Sequence, residues 1–173
     1  MSNEKKPLII ISSRTGNTMM LGHALCDALP GSTLVRPADL PEDLSGYDPV
    51  LLGFWCDRGH APEEMERAAE RLRGKRIGCF ATMGGNPQDE KARVWMQRTA
   101  EELVRKGEGN TLEGTFLCRG RIDPEVFERM TAMMGGRASP EREARRAAAE
   151  THPDRLDLAR CVEAFRSVFG ANF

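Results

Sequence analysis

At 173 residues, the chain is long enough for one domain with a real core and short for two. Its 25 basic and 26 acidic residues nearly cancel, and Lys and Arg are spread without a basic arm, which argues against a nucleic-acid partner. No apolar run approaches the roughly 20 residues needed to span a bilayer, so no membrane partner is expected. The stretch Met1–Pro7 lacks the apolar region of a signal peptide, so a cytoplasmic location is expected. Five cysteines (Cys26, Cys56, Cys79, Cys118, Cys161) are dispersed with no C-x-x-C pair and read as reduced thiols. Three isolated histidines show no metal-ligand spacing, and no metal site is expected.

Pro7–Ser12 is a continuous apolar run, the pattern of a strand buried on both faces. Behind it Leu21, Ala24, Leu25, Ala28 and Leu29 recur at helical spacing, and Pro30-Gly31 ends that helix. Ser32–Arg36 reads as a second strand, and Asp48–Phe54 as a third after a Pro-rich loop. Pro62 suits the first turn of a helix whose inner face is Met65, Ala68, Ala69 and Leu72. A fourth strand follows at Lys75–Met83, and a helix marked by Ala92, Trp95, Met96, Thr99 and Leu103 comes next. Thr111–Cys118 reads as a fifth strand. Strands that alternate with helices predict a parallel sheet covered on both faces.

Asp123-Pro124 is a cap followed by a favoured first helical residue, with Val126, Met130, Met133 and Met134 behind it. Gly135-Gly136 breaks that helix, and Ser139-Pro140 starts another rich in Ala, Arg and Glu. The closing helix carries Leu158, Val162, Phe165 and Phe169 on one stripe. The segment from about 125 to 150 therefore reads as a helical insertion before the last helix. Its methionines are expected to be core contacts, with a sticky surface as the alternative.

The stretch "SSRTGNT", Ser12–Thr18, lies between the first strand and the first helix. In a doubly wound sheet, ligands bind at the carboxyl ends of strands near the reversal of strand order. Gly16 permits a tight turn, and the backbone N–H groups opening the helix are free to meet an anion. Hydroxyls of Ser13, Thr15 and Thr18 and the amide of Asn17 add donors, a set suited to a terminal phosphate. The alternative is a polar turn that only caps the helix. No G-x-x-x-x-G-K-S/T loop or G-x-G-x-x-G fingerprint is present, and no cysteine is followed six residues on by arginine. A mononucleotide held by its phosphate end remains.

Ser13-Arg14-Thr15-Gly16-Asn17-Thr18 resembles the S/T-x-T-G-x-T loop with which flavodoxins wrap the phosphate of FMN. The resemblance covers nearly the whole chain apart from the insertion. It implies a three-layer α/β fold with a five-stranded parallel sheet in the order 2-1-3-4-5, as one domain over 1–173. It also implies that the loops after the third and fourth strands hold the isoalloxazine. Trp55 is then the stacking ring, with the backbone of Cys56, Asp57, Arg58 and Gly59 near flavin N5. Thr82, Met83, Gly84, Gly85 and Asn86 would meet the pyrimidine edge. The second aromatic ring usual in flavodoxins is missing there, which leaves one flavin face open to solvent or a partner. Arg58 is expected to bring positive charge near a ring that flavodoxins surround with carboxylates. "GFWCDRG" and "FLCRGRID" further resemble a compact flavodoxin-like subgroup associated with bacterial bile-pigment reduction. The implied function is an FMN electron carrier, a monomer or weak dimer, between a reductase and an acceptor enzyme. The alternatives are a flavin reductase acting directly on a quinone or pigment, and a non-catalytic accessory subunit of a partner reductase. No residue set for acid–base or nucleophilic catalysis is visible.

Overall fold

A computed structural model describes residues 4–170. Met1–Asn3, part of the N-terminal stretch read for a signal peptide, and the last three residues of the expected domain lie outside the described residues. The elements run β1 (Lys6–Ile11), α1 (Asn17–Ala28), β2 (Thr33–Val35), a 3-10 turn (Pro37–Asp39), β3 (Tyr47–Trp55), α2 (Glu63–Ala69), β4 (Arg76–Met83) and α3 (Glu90–Lys106). They continue with β5 (Thr111–Arg119), α4 (Pro124–Met133), α5 (Pro140–Ala149) and α6 (Arg155–Phe169). All strand pairs are parallel, as the alternation of strands and helices predicts, and their order, β2-β1-β3-β4-β5, is the one the resemblance implies.

The pleat of β1 divides the core. Leu8 and Ile10 face one layer, where Met65 and Leu72 from the α2 region and Trp95 and Met96 from α3 cover the sheet. Ile9 and Ile11 face the other, where they meet Leu21 and Leu25 of α1 and Cys161 and Phe165 of α6. Alternate residues of a strand point to opposite faces, so a run apolar at every position is the sequence of a strand covered twice. Gly22 lets α1 lie on β1, since a Cβ there would stand 1.7 Å from Ile11 Cδ1.

The strands end in register. Ile11 pairs with Gly53, Trp55 with Thr82, and Met83 with Arg119. The ladder runs on into the loops, where Ser12 N–H donates to Gly53 O at 2.9 Å and Gly120 N–H to Met83 O at 2.9 Å. The residues after β1, β3, β4 and β5 are thereby brought to one edge.

The insertion departs from its sequence reading. Met130, Met133 and Met134 are 50%, 81% and 64% exposed, not core. The buried residue of α4 is Phe127 and that of α5 is Ala149. The stripe of Val126, Met130 and Met133 faces no sheet, because both faces of the sheet are already taken by α1, α2, α3 and α6. Here α4 lies over the carboxyl edge of the strands.

Candidate functional site

A cavity of about 340 Å³ opens at that edge. Its floor and sides come from the loop after β1 (Ser13, Arg14, Thr15, Asn17, Thr18), the end of β3 (Trp55, Cys56) and the end of β4 (Thr82–Gly85). The loop after β5, Gly120–Asp123, borders it too. Val126, Phe127 and Met130 of α4 and Arg142 and Arg145 of α5 complete the lining.

The structure sorts the loop residues into scaffold and ligand-facing groups. Gly16 takes a left-handed backbone, φ 96°, as the cap position of α1, and no side chain caps that helix. The opening N–H groups of a helix have no partner within it, so an acceptor must come from solvent or a ligand. Ser13 Oγ accepts from Gly16 N–H at 3.1 Å, which closes the turn. Asn17 Nδ2 donates to Arg121 O at 2.9 Å, tying the loop to the chain after β5. Gly120 makes room for that tie, since a Cβ there would stand 2.6 Å from Asn17 Nδ2. Thr18 is buried, with its Oγ1 3.0 Å from Thr82 Oγ1 and 3.4 Å from Phe54 O. Ser12 is buried as well and donates its hydroxyl to Glu64 of α2. Thr15 is exposed and lines the cavity. Ser13, Thr15, Asn17 and Thr18 all border the cavity; Ser13, Asn17 and Thr18 also hold the loop in shape through the bonds above, and Thr15 alone of the four makes no such bond among the described residues.

After β3 the chain makes a two-residue hairpin. Asp57 N–H donates to His60 O at 2.8 Å and His60 N–H to Asp57 O at 2.9 Å. Arg58 (φ 49°) and Gly59 (φ 83°) occupy the corner, the positive-φ pair that a tight turn of this kind requires. Trp95 Nε1 donates to Gly59 O at 2.9 Å and pins the hairpin to α3. The turn directs Arg58 outward: its side chain is 94% exposed and 3.6 Å from Asp57. Asp57, Arg58 and Gly59 accordingly do not line the cavity, and neither does Asn86, which borders a neighbouring groove with Asp89 and Lys91.

Trp55 does line it, with the Arg14 guanidinium 5.9 Å from its ring centroid. Burial pushes the Cys56 thiol above its ordinary value, which favours the neutral form. Gly84 accommodates Ile122 of the loop after β5, whose Cγ1 would be 2.7 Å from a Cβ. The smallness of this loop therefore serves the close approach of that segment, a contact not visible from the letters alone.

Four arginines line the cavity (Arg14, Arg121, Arg142, Arg145) against one carboxylate, Asp123. Asp123 is committed to capping α4, accepting from Val126 N–H at 3.1 Å, and Arg121 is paired with Glu150 at 3.0 Å. The excess of positive charge suits an anionic ligand. The lining from Gly120 to Arg145 is the part that the sequence reading missed. Its available signal was Asp123-Pro124, which starts a helix four residues after β5 and so must leave α4 at the cavity rim.

One cluster of possible metal ligands occurs among the described residues, His152, Asp154 and Asp157. These groups form the start of α6. Asp154 accepts from Asp157 N–H and Asp157 from Asp154 N–H, each at 2.9 Å, while His152 Nδ1 lies against Asp157. The acidic pair is a helix cap.

Parallel strands in this order, a phosphate-type loop after the first, and a cavity across the switch point define a mononucleotide-binding doubly wound domain. The chain belongs to the flavodoxin domain family, whose model matches residues 8–166. Among curated proteins it is similar to flavodoxin-like domain-containing protein BilS of Clostridioides difficile strain CD3, 26% identical over 163 residues, covering 88% of this chain and 90% of that one. The BilS protein of Clostridium symbiosum strain WAL-14163 is 30% identical over 177 residues, covering 89% and 90%. Among solved structures, oxidised flavodoxin 2 of Bacillus cereus aligns with a TM-score of 0.59 at 20% identity, covering 97% of this chain and 99% of that one. A flavoprotein of Lactobacillus acidophilus NCFM in complex with FMN aligns with a TM-score of 0.51 at 16% identity, covering 65% and 93%. Among the described residues, no helix is long and apolar enough to cross a membrane.

Proposed function

We propose that this domain carries electrons between a reductase and an acceptor enzyme on FMN held in the cavity. Family membership and the FMN complex among its structural neighbours support FMN as the cofactor. The observation that carries the reading is the meeting of the Ser13–Thr18 turn and Trp55 in one electropositive cavity. Thr15, Ser13 and the opening N–H groups of α1 would take the phosphate, and Trp55 the ring. FMN supplies one- and two-electron transfer when bound, while the chain binds it, orients it and limits access to it.

The cavity lining favours a carrier over a reductase acting directly on a pigment or quinone. Sites for small organic ligands run from about 300 to 1,000 Å³. At about 340 Å³ this cavity is of a size for one flavin. The one carboxylate of the lining, Asp123, is committed to capping α4, and no histidine, lysine or tyrosine lines the cavity among the described residues. The resemblance of "GFWCDRG" and "FLCRGRID" to a subgroup associated with bacterial bile-pigment reduction supports a role in that chemistry.

The test is the visible spectrum of purified protein, with the released cofactor identified by mass. One FMN per chain and weaker binding of riboflavin are expected, with no oxidation of NAD(P)H by a quinone unless a reductase is added. Equal affinity for riboflavin and FMN would refute the phosphate cradle. Steady NAD(P)H–quinone turnover by the domain alone would refute the carrier role.

A further inference from the structure

The missing second ring after β4 leaves a question about what faces the flavin there. The insertion supplies an answer. Phe127 is 7% exposed and lines the cavity. Two guanidiniums lie over its ring, Arg142 at 5.1 Å and Arg146 at 5.0 Å from the centroid. Of these two, Arg142 lines the cavity and Arg146 does not. Arg142 sits in the first turn of α5, where its backbone N–H donates to the Ser139 cap at 3.2 Å, so its Cα is fixed.

Arg142 Nη1 is buried and has no hydrogen-bond partner among the described residues. A buried, unpaired guanidinium nitrogen is costly, so an acceptor is expected from inside the cavity. The other arginines of the lining differ. Arg121 is paired with Glu150, Arg14 lies over Trp55, and Arg145 is exposed and shared with the neighbouring groove that contains Glu141.

Two electrons and one proton convert the neutral isoalloxazine into an anion whose charge is shared by N1 and O2. A fixed cation facing the ring favours that form over the oxidised one. We propose that Arg142, held over Phe127, is the counter-charge of reduced FMN and raises its two-electron potential. This rests on the reading that the cavity holds FMN. It moves the redox-tuning role from Arg58, which the hairpin turns outward, to the insertion.

The experiment uses the full chain reconstituted with FMN. The oxidised-state dissociation constant comes from a fluorescence titration. The two-electron midpoint potential comes from anaerobic dithionite titration against a reference dye. The potential relative to free FMN reports the ratio of affinities for the reduced and oxidised cofactor. Arg142→Gln is expected to bind oxidised FMN within about threefold of the parent while its preference for reduced FMN falls about tenfold. In a two-electron couple that is a drop of about 30 mV. Arg142→Lys keeps the charge and should recover part of the loss, and Arg146→Gln should leave the potential unchanged. An unchanged potential in Arg142→Gln overturns the proposal. So does an equal shift in Arg146→Gln, which would mark altered packing of α4 and α5. Equal weakening of both oxidation states with riboflavin unaffected would assign Arg142 to the phosphate and also overturn it. A parent chain that binds no FMN would instead refute the reading of the cavity itself.

Discussion

Thr15 and Thr18 stand three residues apart in the same turn, yet the structure gives them opposite duties. Thr18 Oγ1 is buried 3.0 Å from Thr82 Oγ1, so its contribution is to the fold. Thr18→Val keeps the shape and strands the Thr82 hydroxyl, a loss of roughly 1–3 kcal/mol of stability. Replacing both partners by apolar groups of like shape is nearly neutral. The Thr18→Val/Thr82→Val pair should therefore be less destabilised than the sum of the single variants. Thr15, exposed on the cavity side, has no such structural bond to lose. A hydroxyl bonded to a phosphate is worth roughly 1.5–3 kcal/mol, so Thr15→Ala should weaken FMN about ten- to a hundredfold. Riboflavin, lacking the phosphate, should be unaffected. Urea midpoints of the flavin-free proteins give the first quantity, and parallel FMN and riboflavin titrations the second. The reasoning is refuted if Thr18→Val unfolds at the parent's midpoint while weakening FMN as much as Thr15→Ala does.

Three further outcomes are expected. FMN should quench the indole emission of the parent strongly, and in Trp55→Phe the remaining emission of Trp95, held to Gly59 O, should respond little; equal quenching in both would remove Trp55 from the stack. Lys75→Met should cost roughly 1–3 kcal/mol by urea titration, because buried Nζ donates to Leu44 O at 2.6 Å and Tyr47 O at 2.7 Å; an unchanged midpoint would mean those carbonyls find water. The bond from Asp157 N–H holds the Asp154 carboxyl below its ordinary 3.8, so its stabilisation is present above that pH and is lost as the pH falls through the folded value. Asp154→Ala should then lower Tm at neutral pH by a margin that closes below pH 3.8, and Asp154→Asn, also a good cap, should lose less; a margin independent of pH would discount the carboxylate.

The strands themselves were legible because each has its own letter pattern, whereas their order came from the resemblance to flavodoxins. Pro7–Ser12 is apolar throughout, and the observed β1 is buried from Leu8 to Ile11. Boundaries moved by a residue or two, as where β3 begins at Tyr47 and runs on to Trp55. The turn at Ser12–Thr18 was legible as a tight connection of strand to helix, and Gly16 takes the left-handed backbone there. Which hydroxyl points where was not legible, because that depends on Thr82 and Glu64, residues 64 and 52 positions away from their partners. The direction of Arg58 was not legible for a related reason: its proximity to Trp55 in sequence says nothing of a hairpin corner that aims it at water. The insertion misled most. Its methionine spacing is that of a buried stripe, and only the prior occupation of both sheet faces shows that the stripe has nothing to bury against.

That insertion also sets how the cofactor would come and go. Each of its two helices contributes one buried residue, Phe127 or Ala149, and the link between them passes through Gly135 and Gly136 at φ 101° and 82°. Local opening free energies scale with what is buried, so α4 and α5 can part from the rim while the five strands stay paired. A flavin held in the cavity is then expected to leave by opening of these two helices and not by unfolding of the sheet. Loading the cavity, in turn, should slow amide exchange through both helices far more than anywhere in β1–β5.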